Sequence, residues 1–135
     1  MGGRRPVLPM PPTPHQRQGR WAEQRALRLL QERGWRLLSR NWRCRWGELD
    51  LVCAKQGRLL LVEVKGRRPG SRDGGGTALL RGAQRQRLRR AWDCWLATHP
   101  EQADLPVELV AALVPLPHPG QRAGPDPVTW IRLEI

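Results

Sequence analysis

The sequence has few cysteines, and they stand far apart. Cys44, Cys53 and Cys94 form no C-x-x-C pair and no cluster with histidine, so neither a zinc site nor a disulfide framework is indicated. No run approaches the roughly 18 apolar residues that a membrane helix needs. The Pro-rich N-terminus lacks the continuous apolar stretch of a signal peptide. We therefore expect a cytoplasmic protein with reduced cysteines and no membrane partner.

Lysine and acidic residues are also scarce. The 135-residue chain carries 24 Lys and Arg, of which only Lys55 and Lys65 are lysine. Residues 1–95 hold 22 basic and 7 acidic side chains, and the net charge of the whole chain is +12. Such an excess of positive charge favours polyanions, most often nucleic acid, although a ribosomal or membrane-surface role also fits a basic balance. A lysine that stands beside two acids in this arginine-rich chain is informative, because ammonium and guanidinium groups are not equivalent at a reactive site.

Residues 47–65, with the sequence GELDLVCAKQGRLLLVEVK, are predicted to form a β-hairpin. Two apolar runs flank a turn centred on Gln56-Gly57, and a glycine at the second central position suits such a turn. In that register Asp50 faces Glu63 across the two antiparallel strands. Directly opposed residues have Cβ atoms roughly 4.5–5.5 Å apart. The hairpin therefore brings two carboxylates together.

The same register places Glu48 opposite Lys65, on the face that carries Asp50 and Glu63. Opposed like charges destabilise a sheet, so the two acids need a compensating charge. A divalent cation is the obvious candidate, since Mg²⁺ is held by one or two carboxylates plus substrate phosphates. The alternative is a solvent-facing hairpin side that happens to carry charges, as antiparallel sheets often do.

The remaining patterns predict an α/β fold. Residues 1–15 are expected to be a disordered arm rich in Pro and Gly, and residues 16–135 to form one nuclease-like domain with a Pro-rich loop at 115–127. Helices are predicted at 16–33 and 78–98, and further strands at 35–42, 105–114 and 128–135. The order of helix, three strands, helix and two strands predicts a mixed five-stranded sheet flanked by helices.

The first predicted helix carries an acid beside its apolar stripe. The stripe consists of Ala22, Ala26, Leu29 and Leu30, with the stem of Arg33 at its end. Gly34 stands where a helix C-terminal glycine belongs. Glu23 borders the stripe and is either part of the site or an exposed residue paired to Arg20 or Arg28.

The second predicted helix carries a glutamine on its apolar stripe. The stripe consists of Leu88, Ala91, Trp92, Trp95 and Leu96. Gln84 precedes Leu88 by four residues, and a core-facing glutamine is costly unless it is bonded. Gln84 therefore either reaches toward the acidic site or lies in an exposed first turn.

Several arginines are candidates for contact with nucleic acid. Residues 42–46 interleave two indoles with two guanidiniums, which suits stacking and phosphate contact or, equally, Trp packing under Arg stems. A basic loop at 66–77 follows Lys65 and could grip a phosphodiester backbone. The candidates are Arg43, Arg45, Arg67, Arg68, Arg72 and Arg85.

These motifs resemble the YraN family, small bacterial proteins related to PD-(D/E)XK nucleases and similar to archaeal Holliday junction resolvases. The marks lie in four places: Gly19, Glu23 and Ala26; Gly34 with Asn41-Trp42-Arg43; Gly47-Glu48-Leu49-Asp50-Leu51; and Val62-Glu63-Val64-Lys65 with Arg67. The pairing of GELDLV with VEVK at this separation is fairly specific. The resemblance implies a restriction-endonuclease-like fold over residues 19–135.

The resemblance also implies roles for the site residues. Asp50 and Glu63 would be ligands of Mg²⁺ or Mn²⁺, with the Val64 carbonyl as a further oxygen ligand. Lys65 would orient or activate the attacking water, Glu23 would be the acid of the first helix, and Gln84 would fill a polar position on the following helix. Glu48 is expected to be a supporting acid that partners Lys65. The sequence departs from its relatives on the fourth strand, where Pro106-Val107-Glu108 replaces a basic-aromatic-Asp stretch.

Three functions follow as expectations. The first is metal-dependent hydrolysis of phosphodiester bonds in DNA, including branched or junction DNA. The second is a DNA- or RNA-binding module that keeps the nuclease-like fold without catalysis. The third is a basic structural protein of a ribonucleoprotein, which predicts RNA preference and no metal binding. DNA is favoured over RNA as the partner. Resolvases act as dimers on two-fold junctions, so the analogy allows a homodimer, but the sequence shows no decisive dimer patch.

Overall fold

Five strands form one mixed sheet with a helix packed on each face. The computed structural model describes residues 9–68, 82–117, 120 and 127–134. The helices are α1 (Pro14–Glu32) and α2 (Gly82–Thr98), and the strands are β1 (Arg36–Cys44), β2 (Gly47–Lys55), β3 (Arg58–Arg67), β4 (Val107–Pro115) and β5 (Thr129–Leu133). The strands lie side by side in the order β1-β2-β3-β4-β5.

The hairpin has the predicted register. Its five backbone pairs run from Lys55–Arg58 at the turn to Leu51–Val62. Gln56 and Gly57 have φ values of 48° and 73°. Two positive φ values in succession are typical of the tight turn that matches strand twist. The turn chemistry alone was therefore enough to predict the pairing of β2 with β3.

The connection from β3 to β4 makes the sheet mixed. β3 and β4 are parallel and paired from Leu59–Val107 to Arg67–Pro115, whereas the other neighbouring strands are antiparallel. Parallel neighbours need a crossover, and α2 lies between them in the chain. The predicted α/β class, a five-stranded mixed sheet flanked by helices, is confirmed and is consistent with a restriction-endonuclease-like fold.

Alternate residues of the central strands feed two separate cores. Leu51 and Val62 pack with α1, whereas Val52 and Leu61 pack with α2. Strand side chains point alternately to opposite faces, so a nearly continuous apolar run such as residues 59–62 can fill both cores. Trp95 of α2 is fully buried, and its indole Nε1 donates to Ser39 Oγ at 2.9 Å.

Helix α1 begins two residues before the predicted start. Thr13 Oγ1 accepts from the Gln16 backbone N–H at 3.1 Å, and Gln16 Oε1 accepts from the Thr13 N–H at 2.9 Å. This capping box, with Pro14 in the first turn, fixes the start of the helix. Gly34, with φ of 90°, ends the helix as predicted.

Some boundaries and side chains differ from the expectations. Arg33 is exposed and does not extend the apolar stripe of α1, because the chain leaves the helix there; Leu27 is buried instead. Gly66 and Arg67 continue β3 and do not begin a loop, since β4 pairs with both. Pro115 likewise ends β4, and Leu116 is buried against the α1 core.

Some predictions fall outside the described residues. These are residues 1–8 of the arm, residues 69–77 of the basic loop with Arg72, residues 78–81 of the second helix, most of the Pro-rich loop and Ile135. Within the described ranges, no helix is long and apolar enough to cross a membrane.

Candidate metal centre

The candidate site lies where the central strands separate. The backbone pairs of β2 and β3 end at Leu51–Val62. Beyond that point β2 stays paired with β1 as far as Gly47, and β3 stays paired with β4 as far as Arg67. The sheet thus opens after the Leu51–Val62 pair, and the predicted Asp50–Glu63 backbone pair is absent. The side chains of Asp50 and Glu63 lie at this opening.

Asp50 bridges the opening with its side chain. Its Oδ2 accepts a hydrogen bond from the Val64 backbone N–H at 2.8 Å. Burial raises the pKa of Asp50 to about 7; the Val64 hydrogen bond opposes the shift, and the charges of Glu23 and Glu48 add to it. A carboxyl group in this setting is held near the midpoint of its titration at neutral pH.

Glu63 is the second acid of the opening. Its Oε1 is buried and has no hydrogen-bond partner within the part of the chain that the structure describes. Burial raises the pKa of Glu63 well above its usual range, and the neighbouring Asp50 charge raises it further. The two carboxyl groups are near enough for each to influence the pKa of the other.

These features fit a divalent cation. A buried oxygen without a donor is costly, and two adjacent, partly buried carboxyl groups disfavour double ionisation. A cation between them would satisfy the Glu63 oxygen and offset the repulsion between the two charges. Carboxylate oxygens are the ligands that Mg²⁺ and Mn²⁺ prefer.

Two further acids lie beside Asp50. Carboxylate oxygens of Glu23, Glu48 and Asp50 all lie within 4.8 Å of one another. Glu23 comes from α1, whereas Glu48 and Asp50 come from β2. Asp50 is therefore common to the acidic trio and to the pair with Glu63. The acid of the first helix is close enough to take part in the same site.

Glu48 has a different partner from the one expected. Its Oε2 accepts from Arg43 Nε at 3.2 Å across the β1–β2 pair, and no backbone pair joins Glu48 to Lys65. The cause is the early end of the β2–β3 ladder. Arg43, a candidate for contact with nucleic acid, thus also forms an ion pair with an acid of the cluster.

Lys65 is exposed and, among the described residues, forms no ion pair. It follows Glu63 by two positions on β3, so the two side chains leave the same face of the strand. Its ammonium is thus available at the rim of the opening. Val64, between them, turns its N–H to Asp50.

Glu63 also faces a pocket under α2. The volume of this pocket is about 260 Å³, and residues of β2, β3 and α2 line it. The lining residues are Trp46, Gly47, Glu48, Glu63, Gln84, Arg87, Leu88 and Ala91. Gln84 is exposed in the first turn of α2 and still lines this pocket, so both alternatives for this residue hold in part.

The predicted arginines are spread over several environments. Arg45 lies over the Trp46 ring at 4.4 Å, and Arg90 lies over the same ring at 4.5 Å. Residues 42–46 thus show the packing of indole under guanidinium that the sequence allowed. Arg68 and Arg85 are exposed, and Arg67 is half-buried in β3.

Three residues near the site were missed in the sequence. Arg87 lines the pocket, and Arg40 and Asn41 hold Glu23 from β1. The spacing of Arg87 from Gln84, three residues along a helix, was a usable signal for a shared face. No local pattern gave Arg40 or Asn41 a role at the site, although Asn41 is among the marks of the family, because their contact with α1 spans 17 or 18 positions of sequence.

Comparison with known proteins identifies the family. Residues 22–112 match the model of the Uncharacterised protein family UPF0102. A UPF0102 protein of Prochlorococcus marinus (strain MIT 9303) is 52% identical over 118 residues, covering 87% of this chain and 90% of the relative. A UPF0102 protein of Bordetella avium (strain 197N) is 49% identical over 86 residues, covering 64% of this chain and 59% of the relative. The chain therefore belongs to the UPF0102 family, which is the YraN family that its motifs indicated.

Proposed function

We propose that the protein is a metal-dependent endonuclease that hydrolyses phosphodiester bonds in DNA, with branched or junction DNA as the favoured substrate. The observation that carries this proposal is the half-buried Asp50–Glu63 pair, in which the buried Glu63 Oε1 has no partner among the described residues. A purely structural pair would carry the cost of burial and repulsion without compensation. A catalytic cation site explains why both acids are there.

In this proposal Asp50, Glu63 and the Val64 carbonyl hold Mg²⁺ or Mn²⁺. When bound, the ion would neutralise phosphate charge and lower the pKa of the attacking water. Lys65, which is exposed and two positions after Glu63 on β3, would donate to the attacking oxygen and stabilise the negative charge that develops in the transition state. Glu23 would supply a further acidic oxygen, and Gln84 would orient substrate or water from the α2 side of the pocket.

The substrate backbone would be held by arginine. Arg87 lines the pocket, and Arg85 is exposed on the same helix. Contacts of this kind supply affinity without reading sequence, and they weaken steeply with salt. The net charge of +12 supports a polyanionic partner.

A second candidate is a non-catalytic DNA- or RNA-binding module with the same fold. The observation that favours it lies on β4, where Glu108 pairs with Leu60 and forms an ion pair with Arg132 at 4.0 Å. Glu63 pairs with Ala111, three positions further along β4. Glu108 therefore lies three positions along β4 from the residue that pairs with Glu63, and its ion-pair partner is on β5.

Cleavage assays separate the two candidates. Duplex, flap and four-way-junction DNA, and a matched RNA, would be incubated with Mg²⁺, Mn²⁺ or EDTA, with Asp50→Asn as the control. The nuclease predicts metal-dependent product from the parent protein only, and most from the four-way junction. Tight binding without product on every substrate would support the module instead. Equal product from the parent and Asp50→Asn would contradict the assigned site.

A further inference from the structure

Asn41 has an unusual backbone for a residue inside a strand. Its φ is 51°, in the left-handed region, which non-glycine residues adopt at a cost that asparagine bears better than most. The backbone pairs Arg40–Leu51 and Trp42–Leu49 flank it, so Asn41 stands opposite Asp50. The strained residue of β1 is thus beside the acid at the centre of the candidate site.

The side chain of Asn41 binds the acid that α1 contributes. Its Nδ2 donates to Glu23 Oε1 at 3.0 Å, and Arg40 Nε lies 3.6 Å from the same oxygen. One hydrogen bond and one ion pair from β1 therefore reach the same oxygen of Glu23, while Arg40 Nη1 donates to the neighbouring Gln24 Oε1. The Glu23 side chain is only 14% exposed. Its position is set from β1, although it belongs to α1.

Glu23 needs such donors to stay where it is. Its carboxylate lies within 4.8 Å of those of Asp50 and Glu48, and like charges at that distance repel. A glutamate has several rotatable bonds and could turn toward solvent to relieve the repulsion. The hydrogen bond from the Asn41 amide opposes that rotation. It reaches only Glu23 Oε1, so Asn41 donates nothing to the second oxygen of Glu23.

We propose that Asn41 is a positioning residue that holds the Glu23 carboxylate in the acidic cluster, so that the other Glu23 oxygen can bind the divalent cation. The inference rests on the metal site of the proposed function and extends it to a residue that touches neither metal nor substrate. The left-handed backbone of Asn41 is explained by the same role, because it aims the amide at α1. Residues that orient metal ligands typically change metal affinity about 10–100-fold when they are replaced.

The test is a thermodynamic cycle measured on metal binding alone. Mn²⁺ would be titrated calorimetrically into the parent protein, Asn41→Gly, Glu23→Gln and the double variant, without nucleic acid. Glycine keeps the left-handed backbone and removes only the amide. We expect Asn41→Gly to weaken Mn²⁺ binding about 10-fold or more, and to have no further effect once Glu23→Gln is present.

Three outcomes would overturn the inference. In the first, Asn41→Gly binds Mn²⁺ with the affinity of the parent protein. In the second, Asn41→Gly changes the Mn²⁺ affinity equally with and without Glu23→Gln, and in the third the parent protein binds no Mn²⁺. If Asn41→Gly fails to fold by circular dichroism, Asn41→Ala takes its place in the cycle, because alanine removes the amide without adding a charge and its backbone strain is common to both arms of the cycle. A parent that binds Mn²⁺ but cuts no DNA would refute the nuclease proposal and leave the role of Asn41 standing.

Discussion

The Asp50 carboxylate accepts a hydrogen bond from the backbone N–H of Val64 at 2.8 Å. Asp50 is one residue, and Val64 two residues, beyond the last β2–β3 backbone pair, Leu51–Val62. The Asp50 side chain thus accepts a hydrogen bond from β3 in place of a backbone carbonyl of β2, at the point where the two strands separate. The same side chain interacts with Glu63, Glu23 and Glu48. Asp50 therefore has a structural task and a proposed chemical one, and suitable substitutions separate them.

Asp50→Asn should abolish cleavage without loss of stability. The asparagine oxygen can still accept from Val64, while the buried negative charge is removed. In EDTA we expect its free energy of unfolding, measured by urea denaturation, to equal or exceed that of the parent. Asp50→Ala leaves the Val64 N–H without its acceptor and should cost about 1–3 kcal/mol. Equal destabilisation by Asp50→Asn and Asp50→Ala would contradict a stabilising role for the Asp50–Val64 hydrogen bond.

Both variants should lower the cleavage rate about 100-fold or more.

The metal-free protein should lose stability as pH rises from about 4 to about 7. The folded pKa of Asp50, about 7, lies above the ordinary value of 3.8, so the folded state binds more protons than the unfolded state in that window. A carboxyl group with a raised folded pKa lowers the free energy of unfolding by at most about 1.4 kcal/mol for each pH unit of this window. The stability that Asp50→Asn gains over the parent should therefore grow across the window. Urea denaturation in EDTA at each pH measures this difference, and a constant difference would refute the raised pKa.

Lys65→Ala should reduce cleavage about 100-fold and leave Mn²⁺ binding and the unfolding midpoint unchanged, because the ammonium is exposed and unpaired within the described chain. The other lysine is a matched control. Lys55 donates to the Arg33 backbone carbonyl at the C-terminus of α1. Lys55→Ala should thus cost about 1 kcal/mol of stability and leave cleavage intact below the melting transition. Normal cleavage by Lys65→Ala would remove that residue from the mechanism.

Arg87→Ala should weaken DNA binding and lower its salt dependence. Loss of one phosphate contact is expected to reduce the slope of log affinity against log salt concentration by about 0.9. Arg132→Ala is the matched control, because Arg132 lies on β5 and pairs with Glu108 away from the opening. Fluorescence anisotropy with labelled DNA in EDTA at several salt concentrations gives both slopes. Identical slopes for the two variants would place the DNA elsewhere.

Local chemistry was sufficient to predict the hairpin and its acids. The Gln56-Gly57 turn fixes the register, and the register places Asp50 and Glu63 in adjoining positions. The apolar stripe of α2 was predicted correctly for the same reason, since helical spacing is a local property.

Contacts between distant segments were beyond prediction from local patterns. The separation of β2 from β3 depends on pairs that each strand makes with its other neighbour. The partner of Glu48 changed from Lys65 to Arg43 for that reason. Likewise, the side chain of the left-handed Asn41 donates to an acid 18 residues earlier, and a shift in the β1–β2 register between Leu37 and Ser39 precedes it.

The parallel pairing of β3 with β4 has a consequence for folding kinetics. It joins residues 48 positions apart, such as Leu59 with Val107, whereas the hairpin joins neighbours. Local contacts generally form before distant ones, because closing a long loop costs more entropy. The hairpin should therefore bring the carboxyl groups of Asp50 and Glu63 together while both are still hydrated. They should lose their bound water only later, when β4 pairs with β3. That late step bears the cost of dehydrating both acids, so we expect Mn²⁺ to accelerate refolding of the parent in stopped-flow measurements, but not of Asp50→Asn.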